Sequence, residues 1–299
     1  MADSSLIKRP LAGYLFILPF FLFFVAFNLY TIGYSLFLSF THYDAFNPPV
    51  WVGFENYARL IQDSRFWDAF ANTWKIWLPN IIMQLSLALF LAVVFTNRRP
   101  RIRGMKFFRS VFYFPNLITM ASVALLFMVL LDWQHGALNQ LLFGENQGEY
   151  IHWLRHPDRA RFIISLIQTW MWFGYTLIIF IAGIQGISPS YYESAIVEGA
   201  NGWQTFSRIT LPLLRPIMAF VVITSLIGGM QLFDVPHVIT GGTGGRGNAL
   251  VTNIIFMYNA AFTHDQIGYG ASVAWGLFVL ILAFSLIYIK LVGIKAEGE

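Results

Sequence analysis

Residues Ser188 to Pro216 read SPSYYESAIVEGANGWQTFSRITLPLLRP, a polar interruption with apolar stretches of membrane-spanning length on both sides. Ser188 followed by Pro189 is a helix-start signal, because proline at the first helical position gives up a donor that has no partner there. Ser190 and Glu193 have the spacing of a capping box. The run to Val197 reads as a short helix. Gly199 and Gly202 then break it, and Asn201-Gly202 is a strong turn signal. A second short helix follows, with Trp203, Phe206 and Ile209 on one side, and ends at Leu211-Pro212. Two short helices set at an angle make a compact knob.

The sequence around the knob is that of a membrane protein. It is 57% hydrophobic and only 11% charged, where soluble domains carry roughly a quarter charged residues. There is no cysteine, hence no disulfide framework and no cysteine metal site. A span needs about 20 apolar residues. On that basis the chain is an all-α membrane protein with one domain over 1–299 and six spans, near 11–30, 73–95, 107–131, 162–184, 217–232 and 270–291. Helix from the first span can continue to Phe40. Lys8 and Arg9 precede an apolar run longer than a signal-peptide core, so the first span reads as retained.

Basic residues give the orientation. Twelve of the 19 Lys and Arg fall on the side of the N-terminus, most densely as Arg98, Arg99, Arg101, Arg103, Lys106 and Arg109. Basic charge close to span ends marks the cytoplasmic side, which places both termini and the 188–216 knob there. The acidic residues lean the other way, Asp234 among them at an outer boundary. No charged residue sits in the middle of a span, which argues against a proton relay. Pro19, Pro79, Pro115 and Pro216 each remove a backbone donor and can kink a span, either as ordinary bending or to open a path. Gly270, Ala271, Ser272, Ala274 and Gly276 permit close helix contact in the sixth span.

Three motifs fail on inspection. Gly241 to Gly247 has the glycines of a phosphate loop, but a nucleotide site needs Gly-Lys followed by Ser or Thr, so the run reads as a flexible turn. His152 and His156 are four apart, yet zinc needs at least a third ligand, and Pro157 ends their segment. No Ser/His/Asp set forms, since the histidines fall outside the spans.

Glu193-Ser194-Ala195, Glu198-Gly199-Ala200 and Ile209-Thr210-Leu211-Pro212 resemble the E-A-A, D-G-A, I-x-L-P coupling loop of binding-protein-dependent ABC importer permeases. Ser194 and Glu198 depart from that pattern but keep size or charge. Phe54-Glu55-Asn56-Tyr57, Phe66-Trp67, Asn72-Thr73, Phe233-Asp234 and Thr240-Gly241-Gly242 resemble segments of the sugar permeases in this family, so the resemblance runs from about residue 11 onward. It is closest to the MalF-like branch that imports oligosaccharides. It implies the type I importer fold, with six transmembrane helices and a cytoplasmic two-helix coupling loop, in a bacterial or archaeal cytoplasmic membrane. It implies that Glu193, Ala195, Glu198, Gly199, Ala200, Ile209, Leu211 and Pro212 form the contact with an ATPase. Glu193 would make the charged contact, Gly199 the sharp turn, and Leu211-Pro212 the exit into the fifth span. The bland alternative is an amphipathic loop lying on the membrane surface.

For the substrate path, Trp172 and Tyr175 lie inside a span, where aromatic faces can stack on sugar rings or simply fill space between helices. Gly228 and Gly229 let a ligand approach the backbone, Gln231 is a neutral hydrogen-bonding group, and Asn116 and Thr119 follow Pro115. The position of the family's site adds Met120. The chain itself is expected to bind no cofactor and to be no enzyme, with ATP used by a partner. The partners implied are a second homologous permease, two ATPase subunits, alike or different, an extracytoplasmic solute-binding protein and the lipid bilayer, with no nucleic acid. A secondary carrier working without ATP and a membrane enzyme acting on lipid-linked sugar are the rival readings.

Overall fold

The computed structural model describes residues 8–96, 104–144 and 146–292. Arg98, Arg99, Arg101 and Arg103, which mark the side of the N-terminus in the sequence, lie outside the described residues, as do Glu145 and Lys295. In chain order the α-helices are α1 Lys8–Phe23, α2 Tyr30–Ser39, α3 Glu55–Gln62, α4 Ser64–Thr96, α5 Met105–Tyr113, α6 Met120–Leu130, α7 Ala137–Phe143 and α8 Pro157–Gly186. After them come α9 Pro189–Val197, α10 Gly202–Thr205, α11 Leu211–Leu213, α12 Arg215–Met230, α13 Asp234–Thr240, α14 Asn253–Tyr258 and α15 Ile267–Val292. Among the described residues, five stretches are long and apolar enough to cross a membrane, and a sixth is broken.

The spans depart from the sequence expectation in instructive places. The first helix continues through a π-helical turn, Phe24–Leu29, into α2 and so reaches Ser39. The third, expected as one rod over 107–131, is bent by 93° between Met105–Leu117 and Met120–Leu130. Pro115 starts this break, but Ile118 and Thr119 complete it by taking extended backbone, ψ 140° and 141°. The fifth extends beyond Leu232, because helix resumes as α13. Pro216 kinks nothing there; it stands at the start of α12, where no hydrogen bond is lost. Pro157 likewise begins α8, so the non-helical segment holding the histidines ends just before it. His152 stacks on Trp133 at 4.3 Å, and His156 precedes the helix, so the two share no helix face.

The chain forms two compact units. Met1–Asp63 and Met257–Gly276 make the first. From Tyr14 to Tyr34 its residues are exposed, which suits lipid as solvent for a run of Phe, Leu and Ile. Buried Asn56 fastens the end of α2, donating to the carbonyls of Ser39 at 3.0 Å and Thr41 at 2.8 Å. The small residues at the start of α15 are close-contact positions. A Cβ on Gly270 would stand 2.6 Å from that of Ala261, and one on Gly276 would stand 2.7 Å from Leu60.

Ser64–Phe256 and Leu277–Glu299 make the second unit, built on the pairing of α4 with α8. Ile164, Ile167, Leu177, Phe180, Ala88 and Ala92 are nearly or fully buried along it. A polar seam runs through this apolar contact. Ser165 donates to the Ile76 carbonyl at 2.7 Å, Thr169 to Asn80 Oδ1 at 3.1 Å, and Gln84 to Thr176 Oγ1 at 2.7 Å. Such interhelical bonds hold membrane helices where water offers no alternative partner. Gly174 lets α5 approach α8, since a Cβ there would fall 1.9 Å from the Phe112 carbonyl oxygen. The glycine run 241–247 is a specific loop, not a loose turn. Five of its glycines take positive φ, the Leu250 amide donates to Gly244 at 2.9 Å, and Asn72 on α4 donates to the carbonyls of Asn248 and Val251.

Candidate functional site

The knob forms as two short helices closed by identifiable caps. Pro189 is the first residue of α9, as expected. The capping box expected at Ser190 and Glu193 is absent, since Ser188 is the N-cap and Ser190 only hydrogen-bonds the Ser188 hydroxyl at 2.9 Å. The box stands instead at α10. Asn201 Oδ1 accepts from the Gln204 amide at 2.9 Å, and Gln204 Oε1 accepts from the Asn201 amide at 2.8 Å. Asn201-Gly202 therefore starts a helix, and the turn belongs to Gly199 alone, with φ +74°.

That turn is a Schellman closure: the Ala200 amide donates to Ala195 at 2.9 Å and the Gly199 amide to Ile196 at 3.1 Å, the 6→1 and 5→2 bonds that terminate a helix through one left-handed residue. Ala195 is buried, and Tyr192 hydrogen-bonds Thr210 across the two helices at 3.2 Å. The second helix passes through a π-turn, Phe206–Thr210, into α11. Ile209 and Leu211 are half-buried, Pro212 is exposed, and helix continues one residue past it before buried Leu214. Glu193 and Glu198 are exposed and Ala200 is half-buried. Val197 is 88% exposed, Trp203 72% and Ile196 61%, so the knob presents apolar side chains outward beside its two carboxylates.

A cavity of about 390 Å³ opens in the second unit between α4, α8 and α12, within the range of small-molecule sites, roughly 300–1,000 Å³. Six of the eight residues expected on the substrate path line it: Met120, Trp172, Tyr175, Gly228, Gly229 and Gln231. Asn116 and Thr119 stand instead at the 93° break, where Thr119 caps α6 by accepting from the Ser122 amide at 3.3 Å. The two glycines differ in role. A Cβ on Gly228 would meet nothing within 4 Å, whereas one on Gly229 would lie 2.0 Å from Trp77 Cδ1. Gly228 leaves open space at the wall. Gly229 is a packing position under Trp77, whose Nε1 donates to the Ser225 carbonyl at 2.9 Å.

The cavity's polar wall includes residues the sequence did not mark for the substrate path: Asn80, Gln84, Gln168, Thr176, Ser225 and Asp234. Asn80 and Gln84 are four apart, which puts them on one face of α4, and that spacing inside an apolar span was the available signal. Asp234, expected at an outer boundary, opens α13 and lines the cavity.

The sequence matches, over residues 84–294, the family described as binding-protein-dependent transport system inner membrane component. It is 35% identical to YesP of Bacillus subtilis (strain 168), described as a probable ABC transporter permease protein, over 96% of this chain and 92% of that one. It is 32% identical to the lactose transport system permease protein LacF of Rhizobium radiobacter, over 95% of each. Among solved structures, a chain of a bacterial alginate ABC transporter in complex with an alginate pentasaccharide-bound periplasmic protein superposes with TM-score 0.80 at 22% identity, covering 97% of this chain and 96% of that one.

Proposed function

The chain belongs to the family of binding-protein-dependent transport system inner membrane components, and from that premise we propose that its cavity is part of an oligosaccharide path gated by the 188–216 knob. It is a permease subunit of a sugar ABC importer, multi-pass in the membrane, and its relatives are transport permeases. Its fold is that of the type I importer permeases. ATP binding and hydrolysis are assigned to two separate ATPase subunits, one of which receives the knob. A second permease completes the path, a solute-binding protein delivers the sugar from outside, and both termini lie in the cytoplasm.

One observation carries the coupling role. The knob is internally closed, by the Schellman turn at Gly199, the capping box at Asn201 and the Tyr192–Thr210 bond, yet leaves Val197, Trp203 and Ile196 uncovered. A closed fold that exposes large apolar groups beside carboxylates is the form of a docking element. ATP-driven closure of the ATPases would move it as a body, and ligand and nucleotide would act by favouring different states of one assembly.

The test is purification of the tagged chain from its native membrane. An ATPase and a second permease are expected with it in stoichiometric amounts. A chain that purifies alone, and supports sugar uptake into vesicles with no ATPase present, would overturn the reading in favour of a self-sufficient carrier.

A further inference from the structure

The polar groups around the cavity are of two kinds. From α4 and α8 come neutral amides: Asn80, Gln84 and Gln168 are only 7%, 4% and 5% exposed. Gln168 keeps its Nε2 buried with no hydrogen-bond partner among the described residues. A buried donor left unpaired is costly, so a ligand oxygen that accepts from it gains what the chain alone cannot supply. Asp234, the first residue of α13, is the one charged residue among the described residues that line the cavity. Among the described residues, no Lys, Arg or His lines it with Asp234.

We propose that this chain's side of the path selects uncharged glycans, and that Asp234 is the residue that sets the selection. The inference rests on reading the cavity as the sugar path. A carboxylate accepts charge-assisted hydrogen bonds from paired sugar hydroxyls, while the Gln168 amide donates to a hydroxyl oxygen. An acidic sugar meets the opposite situation. Its carboxylate would be repelled by that of Asp234 across a partly desolvated space, and taking it out of water needs a cation that this wall does not offer. The fold by itself does not decide the matter, since the alginate transporter that shares it is described as importing an acidic polysaccharide. The charge on the wall does.

The test uses the complete importer, purified with its partner subunits and placed in lipid nanodiscs. Omitting the solute-binding protein leaves selection to the membrane part. Binding of neutral disaccharides (galactobiose, maltose and lactose) is titrated against digalacturonate, which differs from galactobiose only in the carboxylates at C6. Wild type is expected to bind a neutral disaccharide at least about tenfold more tightly than digalacturonate. Asp234→Asn is expected to narrow that gap to about threefold or less, largely by improving digalacturonate binding. Asp234→Glu keeps the charge and is expected to keep the gap, which separates charge selection from a disturbed fold. Gln168→Leu is expected to weaken every sugar alike and leave the ratio in place. Equal binding of both classes by wild type, or a ratio that Asp234→Asn does not move, would overturn the inference while leaving the transport reading standing. If no sugar of either class binds and none stimulates ATP hydrolysis by the full assembly, the sugar-path reading itself fails, and this inference with it.

Discussion

Gly228 and Gly229 are neighbours on α12, yet alanine should act on them in opposite ways. Both lie near the end of the helix at Met230, so the gain in helix propensity from Gly to Ala, up to about 1 kcal/mol, is shared and cancels in the comparison. What remains is the added methyl. At Gly228 it enters open space; at Gly229 it lands 2.0 Å from Trp77 Cδ1 and 2.7 Å from Nε1. Ordinary carbon contacts begin near 3.4 Å, so about 1.4 Å of movement is required. Trp77 cannot supply it cheaply. It is 6% exposed, packs edge-on against Trp74 at 5.2 Å, and donates to Ser225 at 2.9 Å. Overpacking of this kind costs about 1–3 kcal/mol. At roughly 2–4 °C per kcal/mol, Gly229→Ala should melt some 2–12 °C below Gly228→Ala, read by thermal unfolding of the purified chain in detergent. Removing the ring should remove the penalty, so Trp77→Ala and Gly229→Ala should be non-additive by at least about 1 kcal/mol. Equal melting points for the two alanine variants, or an additive cycle, would refute the assignment of Gly229 to packing. Gly228→Ala should keep its stability but lower sugar uptake, because its methyl narrows the cavity.

Other perturbations test the caps and the loops. Gly199→Ala places a Cβ at φ +74°, a cost of about 1–2 kcal/mol; amide exchange at 199 and 200 should speed up roughly 5- to 30-fold, and Gly199→Asn should be milder, as measured by exchange mass spectrometry. Gly199→Asp should abolish ATP-driven uptake while leaving membrane insertion intact, and normal uptake would remove the coupling role. Asn201→Ala loses both arms of the capping box and should cost about 1 kcal/mol, seen as faster exchange confined to 201–205. Fully buried Asn139 donates to the carbonyls of Trp133 and Ile151 and accepts from the Ile151 amide and the Trp153 indole. Asn139→Ala should therefore release this loop to limited proteolysis between Trp133 and Trp153 without lowering membrane insertion.

The sequence made some of these features legible and hid others for physical reasons. Spans announce themselves by length and apolarity, so the five unbroken ones among the described residues were visible. The break in the third was visible only as Pro115, because the extended backbone at Ile118 and Thr119 has no residue signature. Gly199 was readable as a turn because a left-handed cap favours glycine. The competing box at Ser190 was plausible by spacing and failed because Ser188 and Pro189 had already started the helix. The amides of the cavity were harder. Asn80 and Gln84 barely dent the apolarity of a 33-residue helix, and their partners Thr169 and Thr176 lie about 90 residues away. Only the register of α4 against α8 brings them together. The place of Asp234 on the cavity was hidden because apolarity stops at Leu232, although the helix resumes after a break of three residues.

The order of elements along the chain bears on how a knob could reach a cavity. α8 carries Gln168, Trp172, Tyr175 and Thr176 on the cavity and runs without interruption to Gly186, one turn from the knob. α12 leaves the knob at Arg215 and carries Ser225, Gly228 and Gly229, with Gln231 as its C-cap, back to the same cavity. The knob is therefore inserted, in chain order, between two helices that both line the cavity. They are joined tightly near it: a Cβ on Gly183 would lie 2.5 Å from Ile217 and 2.8 Å from Leu214, and Leu214 is fully buried. From Gly183 back to Thr176, which lines the cavity, is about 10 Å along the helix. Two helices packed together near the knob and both lining the cavity farther on would carry a rotation at the joint to the cavity. Close packing makes such a joint bistable and not continuously deformable. In the proposed mechanism the glycine at 183 matters as much as the one at 199, since the first sets the pivot and the second the handle.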